Sequence, residues 1–447
     1  MLNVLHPDSC HFDYPAPSYW EASAAPLAMD CPPLSADTNC DVAIIGAGYT
    51  GLSAALALAR EHHLDVRVLE AATPGWGASG RNGGFCCIGG HKLSFGAMTR
   101  RYGLQASQRL RAHQREAVAL VQQLCVEHGI DAGLHGQGEL ALAHSPRAMR
   151  ALAEERDHLL RYFDEPSELV EAAELRAQGC HGPHFHGALR GQHGFGLHPL
   201  QYARGLAQAA VACGARIHAQ SRVIRWEQEA GEHRLHTAGA TLRARQVLVA
   251  TNAYTPEPVA RSLAGRVLPA LSNVLVTRPL TLEERSEQGW STPTMAYDTR
   301  ALLHYFRLLP DGRFLFGGRA GTDASSAAEG AARAALETRF RTLFPAWRGV
   351  EVDYFWRGLV CLSYDLVPYV GPLDQRRSAW TALAYHGNGV ALATWCGQLV
   401  AGMIAGRPLD SDVSAVLTTR LAKFPCPALR PLYLAAAYRW YGWSDGR

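Results

Sequence analysis

Gly46-Ala47-Gly48-Tyr49-Thr50-Gly51 follows the apolar run Val42-Ala43-Ile44-Ile45 and leads into a helical stretch from Leu52 to about Arg60. A second apolar strand, Val66-Arg67-Val68-Leu69, comes next and ends in Glu70, nineteen residues beyond Gly51. Each position has a task in a strand–helix–strand unit built for a dinucleotide. Gly46 makes the tight turn off the strand, Gly48 lets the backbone approach a pyrophosphate, and Gly51 lets the helix close on the sheet. The helix start, with Ala47, Tyr49 and Thr50 beside these glycines, presents free N–H groups and a positive dipole to the phosphates. Glu70 can accept hydrogen bonds from a ribose diol. Glycines at this spacing are weak evidence alone; two strands, a helix and a terminal acid around them make the evidence strong. The motif does not say which dinucleotide.

The chain has 447 residues, more than one ordinary core holds, so two domains are expected. A net charge of +3 with scattered basic residues argues against nucleic acid as a partner. Of 43 basic residues only Lys92 and Lys423 are lysine, so any chemistry needing a lysine has two candidates. Residues Met1 to Asp37 have no continuous apolar core of the kind a signal peptide carries. The longest apolar stretch, Val390 to Ala405, is interrupted by Thr394, Gly397 and Gln398 and reads as a buried helix rather than a membrane span. Eleven cysteines, an odd number without a C-x-x-C pair, argue against a disulfide framework. A cytoplasmic protein with reduced thiols is expected.

Residues 1–39 read as an arm ahead of the first strand. A second glycine-rich loop follows the nucleotide unit: Gly75-Trp76-Gly77-Ala78-Ser79-Gly80-Arg81-Asn82-Gly83-Gly84. Apolar spacing predicts helices over 104–128, 146–163, 200–213, 327–343 and 390–405. Strands are expected at 138–143, 216–228, 246–250, 313–318 and 380–384, with strand and turn from 356 to 371. The fold class implied is α/β: a doubly wound, Rossmann-like sheet interleaved with an antiparallel β-sheet-plus-helices domain. The expected division gives the cofactor domain 40–135, 191–264 and 356–447, and the substrate domain 136–190 and 265–355.

Taken together these segments resemble the D-amino-acid oxidase superfamily of flavoproteins, in particular the γ-glutamylputrescine oxidase-like branch. The resemblance runs from Ser18-Tyr19-Trp20 to the C-terminus. Its most specific mark is the loop Gly77-Ala78-Ser79-Gly80-Arg81-Asn82-Gly83-Gly84. It continues through His198-Pro199-Leu200, Ala250-Thr251-Asn252-Ala253, Phe316-Gly317-Gly318, Trp356-x-Gly358, Pro368-x-x-Gly371 and Gly387-x-Gly389. The dinucleotide implied is FAD. A second glycine loop agrees with that, because the isoalloxazine lies beyond the pyrophosphate and the chain must approach it with bare backbone. The resemblance places Ala78, Ser79, Arg81 and Asn82 on the pyrophosphate and flavin, with Gly83 and Gly84 under the ring. It also places Val223 on the adenine, and Thr251 with Asn252 over the pyrophosphate. Gly387, Asn388, Gly389 and Val390 start a helix aimed back at the flavin, well placed to stabilise negative charge on the reduced ring.

The resemblance also implies the chemistry: oxidation of a C–H bond beside nitrogen, hydride passing to the flavin and the imine product being hydrolysed by water. No side-chain base is obligatory, because the cofactor carries the redox step. The partner expected is a small amine or N-substituted amino acid. Tyr305 and Arg319, around the strand 313–318, and Trp356, Tyr364 and His386 are the substrate-facing candidates. Arg319 can pair a carboxylate bidentately or make an interdomain ion pair. The position that carries a flavin-linked cysteine in sarcosine oxidases falls on Gly358, with Cys361 three residues later, so non-covalent FAD is expected. A cluster of Cys180, His181, His184, His186, His193 and His198 matches no zinc spacing, and no metal is assigned. The aromatic, basic stretch Leu429–Trp443 either docks on the protein or lies on a membrane surface. The rival readings are a membrane-associated dehydrogenase feeding a quinone or carrier, and a dinucleotide-binding protein without turnover.

Overall fold

The structure, a computed structural model, describes residues 5–229, 231–319 and 321–445. The opening strand, Thr38–Ile45, runs parallel to Val66–Leu69 on one side and to Thr241–Val249 on the other. Arg216–His218 extends the sheet beyond Val66–Leu69, and Ala379–Leu383 and Tyr369–Pro372 extend it beyond Thr241–Val249. Such strands are apolar on both faces because both faces are covered. Val42 and Ile44 point into a core shared with the helices Tyr49–His62, Leu104–Glu127, Pro199–Ala212 and Val390–Ile404. Ala43 and Ile45 point to the opposite core, with Val247, Val249 and Leu383.

The second sheet has the order 352–363, 267–277, 314–318, 304–308, 295–298, 139–142, 187–191, 168–171. Its pairings are antiparallel except between Glu139–Leu142 and Met295–Asp298, which run parallel. On its outer face Trp290, Phe306, Phe314, Phe316, Phe340, Phe344 and Trp347 form one aromatic core under the helix Glu329–Leu343. The inner face turns toward the nucleotide sheet.

Most expected elements appear within a residue or two, and three details differ. The strand expected over 216–228 is broken after His218, because Gln220 adopts a left-handed backbone (φ 49°) and the chain resumes as a hairpin at Arg225–Glu229. The strand expected from 246 begins at Thr241. The domain boundary expected at 355/356 falls inside one continuous strand, Val352–Ser363, paired along its length with Val267–Thr277. The arm is held by Trp20, which is buried and donates its indole N–H to the carbonyl of Asn82 at 2.8 Å.

At the C-terminus the helix Arg430–Ser444 packs Leu434 against Leu268, Ala270 and Phe424. Beyond it the carboxylate of Asp445 accepts hydrogen bonds from the N–H groups of Ala301 and Leu302. Leu432, Trp440 and Trp443 face outward. Among the described residues no helix is long and apolar enough to cross a membrane.

Candidate active site

Between the two sheets runs a cavity of about 390 Å³, lined from Gly46 and Glu70 at one end to Tyr305, Arg319 and His386 at the other. The nucleotide end is built by close approaches that only glycine allows. Gly46 has φ +104°, and a Cβ there would sit 3.1 Å from the carbonyl oxygen of Ala250. A Cβ on Gly51 would collide with the carbonyl oxygen of Gly46, so the turn and the helix are pressed together at that point. Gly48 caps the helix without a side-chain hydrogen bond, and Ser79 Oγ accepts from the Tyr49 N–H at 3.0 Å. Glu70 is buried, accepting from the N–H groups of Ala47 (2.7 Å) and Ala72 (3.0 Å). Burial raises its pKa, and each oxygen keeps a lone pair for a diol.

The second glycine loop is held rigid by its own side chains. The Asn82 amide donates to the carbonyls of Ala78 and Ser79 and accepts from the Gly84 N–H. Arg81 lies over the Trp76 ring, donates to the carbonyls of Trp76 and Arg357, and has Gly358 against its Cβ. Arg307 reaches this loop from the second sheet. Fully buried, it donates to the carbonyls of Gly83 and Leu197 and to His135 Nε2, and burial lowers its pKa to about 9.

On the far side Val223, Thr251 and Asn252 line the nucleotide end, with Asn252 Oδ1 accepting from the Ala384 N–H. Gly387 (φ +101°), Asn388, Gly389 and Val390 bring the helix Val390–Ile404 to the cavity with no side-chain cap on its first turn. Ala47, Gly51 and Gly84 do not line the cavity; they shape it from behind. His386 has a left-handed backbone (φ 50°), pairs Nε2 with Ser363 Oγ at 3.2 Å, and leaves Nδ1 buried and without a partner among the described residues. Burial lowers its pKa to about 3, so the imidazole is neutral. Bare backbone, two helix starts whose N-cap glycines offer no side-chain hydrogen bond, and an orphaned ring nitrogen fit an elongated dinucleotide carrying a polar ring system.

The five substrate-facing candidates separate into two groups. Tyr305, Arg319 and His386 line the cavity. Tyr305 lies against Gly83 and pairs its hydroxyl with Ser272 Oγ at 3.2 Å. Arg319 donates to the His386 carbonyl at 2.5 Å. Trp356 and Tyr364 do not line it, and this corrects the expectation for both. Trp356 is packed beside Trp20, Val274 and Leu315 and donates its indole N–H to the Arg81 carbonyl, so it braces the loop from behind. Tyr364 follows Ser363, which faces inward; strand alternation turns Tyr364 outward against Phe424, where it is 50% exposed.

Among the cavity residues beyond the expected set, Cys87 and Lys92 come from one segment and Glu139 and Tyr297 from two others. Lys92 lines the cavity and keeps an exposed side chain. Surrounding protein, and after it the neighbouring Arg319, lower its pKa to about 7. The scarcity of lysine and the place of Lys92 after the second glycine loop are sequence signals for it, and the adjacent pair Cys86-Cys87 just past that loop is one for Cys87; Glu139 and Tyr297 carry none.

Comparison with known proteins agrees with this geometry. The chain is 32% identical to the gamma-glutamylputrescine oxidoreductase of Escherichia coli (strain K12) over 416 residues, 93% of this chain and 94% of that protein. Glycine oxidase from Geobacillus kaustophilus superposes with a TM-score of 0.69 at 23% identity, covering 86% of this chain and all of that one. L-proline dehydrogenase from P. horikoshii gives 0.68 at 18% identity, covering 86% and 96%. The family model DAO, FAD dependent oxidoreductase, matches residues 41–403. The chain belongs to this family of FAD-dependent oxidoreductases.

Proposed function

We propose that the protein oxidises a C–N bond in an amine or N-substituted amino acid whose molecule also carries a carboxylate. One observation carries this reading: Lys92 and Arg319 face the cavity as neighbouring cations, and neither has an acidic partner among the described residues. Two like charges held side by side are costly unless a ligand's anion joins them. Bound FAD supplies the redox chemistry, taking up a hydride from the carbon beside the nitrogen. The chain's residues do the positioning. Lys92 and Arg319 hold the carboxylate, Arg319 by a planar fork suited to two parallel hydrogen bonds. Tyr305 walls the reacting end against Gly83. His386, neutral at working pH, offers Nδ1 as a hydrogen-bond group without adding charge.

The assignment of Ser79, Arg81 and Asn82 to the pyrophosphate and of Gly387 to Val390 to the flavin belongs to the same proposal. Dioxygen is the electron acceptor in this reading, with a quinone or protein carrier as the rival. The gamma-glutamylputrescine oxidoreductase of Escherichia coli makes γ-glutamyl amines the first substrates to try. The test is anaerobic mixing of the FAD-loaded protein with γ-glutamylputrescine, putrescine, sarcosine, pipecolate and D-amino acids. Bleaching by a carboxylate-bearing amine supports the reading, and bleaching by none of the panel overturns it. Readmitted air restores the yellow colour quickly if dioxygen is the acceptor, and slowly if a carrier is.

A further inference from the structure

The cavity wall also carries a charge of the opposite sign. Glu139 opens the strand Glu139–Leu142, which runs parallel to Met295–Asp298, and that strand pairs with His304–Leu308. Across these three strands Leu140, Ala296 and Phe306 point into the aromatic core. Glu139, Tyr297 and Tyr305, on the alternate face, point into the cavity. Tyr297 and Tyr305 are direct cross-strand neighbours, so the carboxyl lies one strand beyond the tyrosine pair. Glu139 makes no ion pair among the described residues. The basic group acting on it is Arg111, already committed to a two-pronged pair with Glu165. Glu155 and Glu165 add negative charge on the same side. The Cys87 thiol hydrogen-bonds to the Glu139 carboxyl and lies within electrostatic reach of Lys92.

We propose that Glu139, with the Tyr297 hydroxyl beside it, is a subsite for a second, non-reacting ammonium group of the substrate. Together with Lys92 and Arg319 it makes the cavity wall complementary to a zwitterionic head, such as the α-amino-acid end of a γ-glutamyl amine. This rests on the carboxylate reading above and adds the positive half of the ligand. Burial, which raises the Glu139 pKa to about 7, agrees with a carboxyl awaiting a cation.

The test separates this subsite from the oxidation itself. Flavin reduction by γ-glutamylputrescine is compared with that by N-glutarylputrescine, which keeps the carboxylate and the reacting amine and lacks only the α-ammonium. The wild type is expected to favour the former by about tenfold or more in kcat/KM, the worth of one charge-assisted hydrogen bond. E139Q is expected to bring the ratio near one, and E139D to restore part of it. Spectral titration of the oxidised, FAD-loaded protein with glutamate against glutarate reads the same preference without turnover. A wild-type ratio near one in both assays overturns the subsite, as does an E139Q protein that keeps the full preference. If putrescine or sarcosine still bleaches the flavin in that case, the oxidation stands and only the subsite falls. If no amine bleaches it, both fall.

Discussion

The guanidinium Nε of Arg307 donates to the carbonyl oxygen of Gly83 at 2.9 Å, joining a buried strand of the second sheet to the glycine loop of the first. The other arms of the same group hold the Leu197 carbonyl and His135. R307M is therefore expected to leave two buried carbonyls unpaired, at about 1–3 kcal/mol each. The Tm should fall and the purified protein should retain less FAD, measured by absorbance after dialysis. R307K keeps the charge but not the fork, so it should rescue only part of the loss.

Gly51 faces the carbonyl oxygen of Gly46 so closely that no side chain fits between them. In G51A the helix Tyr49–His62 must move off the turn, costing about 1–3 kcal/mol by overpacking. The expected product is folded but colourless, or holds FAD at least tenfold more weakly, as fluorescence titration of the apoprotein would show. A yellow, fully loaded G51A would contradict the placement of the pyrophosphate.

The lowered pKa of Lys92, about 7, gives the carboxylate site a pH dependence. Below that value both cations are charged and affinity for a non-reacting carboxylate such as glutarate is flat. Above it Lys92 loses its proton in the free protein, and affinity falls by up to about tenfold per pH unit. K92Q should bind glutarate more weakly at pH 6 and show a shallower dependence, and K92Q/E139Q, which also removes the carboxyl titrating near 7, should lack it. Isothermal titration across pH 5.5–9 measures both.

Three half-buried histidines set an acid limit. Burial lowers His91, His135 and His198 from 6.5 to about 4. His135 accepts from Arg307 through Nε2, and His198 accepts the Gln201 N–H through Nδ1, so each must stay neutral in the fold. The unfolded chain takes up these protons near pH 6.5 and the folded chain only near 4. The stability they contribute is whole above pH 6.5, is lost as the pH falls toward 4, and changes no further below. Thermal melts at fixed ionic strength should show Tm dropping through that window.

The nucleotide half of the site was legible because its residues are consecutive. Gly46 to Gly51, and Gly77 to Gly84, act through backbone geometry that glycine alone permits, and that demand is written in the residue type. The substrate half was legible only in part. Lys92, Glu139 and Tyr297 lie on different segments, and only the register of Glu139–Leu142 on Met295–Asp298 brings the last two together. A one-residue shift on an alternating strand decided the fate of Tyr364, since Ser363 took the inward face. The break at Gln220 was hidden for a similar reason: its left-handed backbone comes from its surroundings, not from a glycine or asparagine in the sequence.

In chain order the cavity is lined first by Leu5, Cys10 and Phe12 of the arm, then by Ile45 and Gly46, and is completed by Gly389, Val390 and Ala393. A ribosome making this chain thus lays down the phosphate end of the pocket early and its last wall very late. Until the helix Val390–Ile404 emerges, the half-made pocket stands open along one side. A chain truncated ahead of that helix is therefore expected not to retain FAD, as absorbance after dialysis would show.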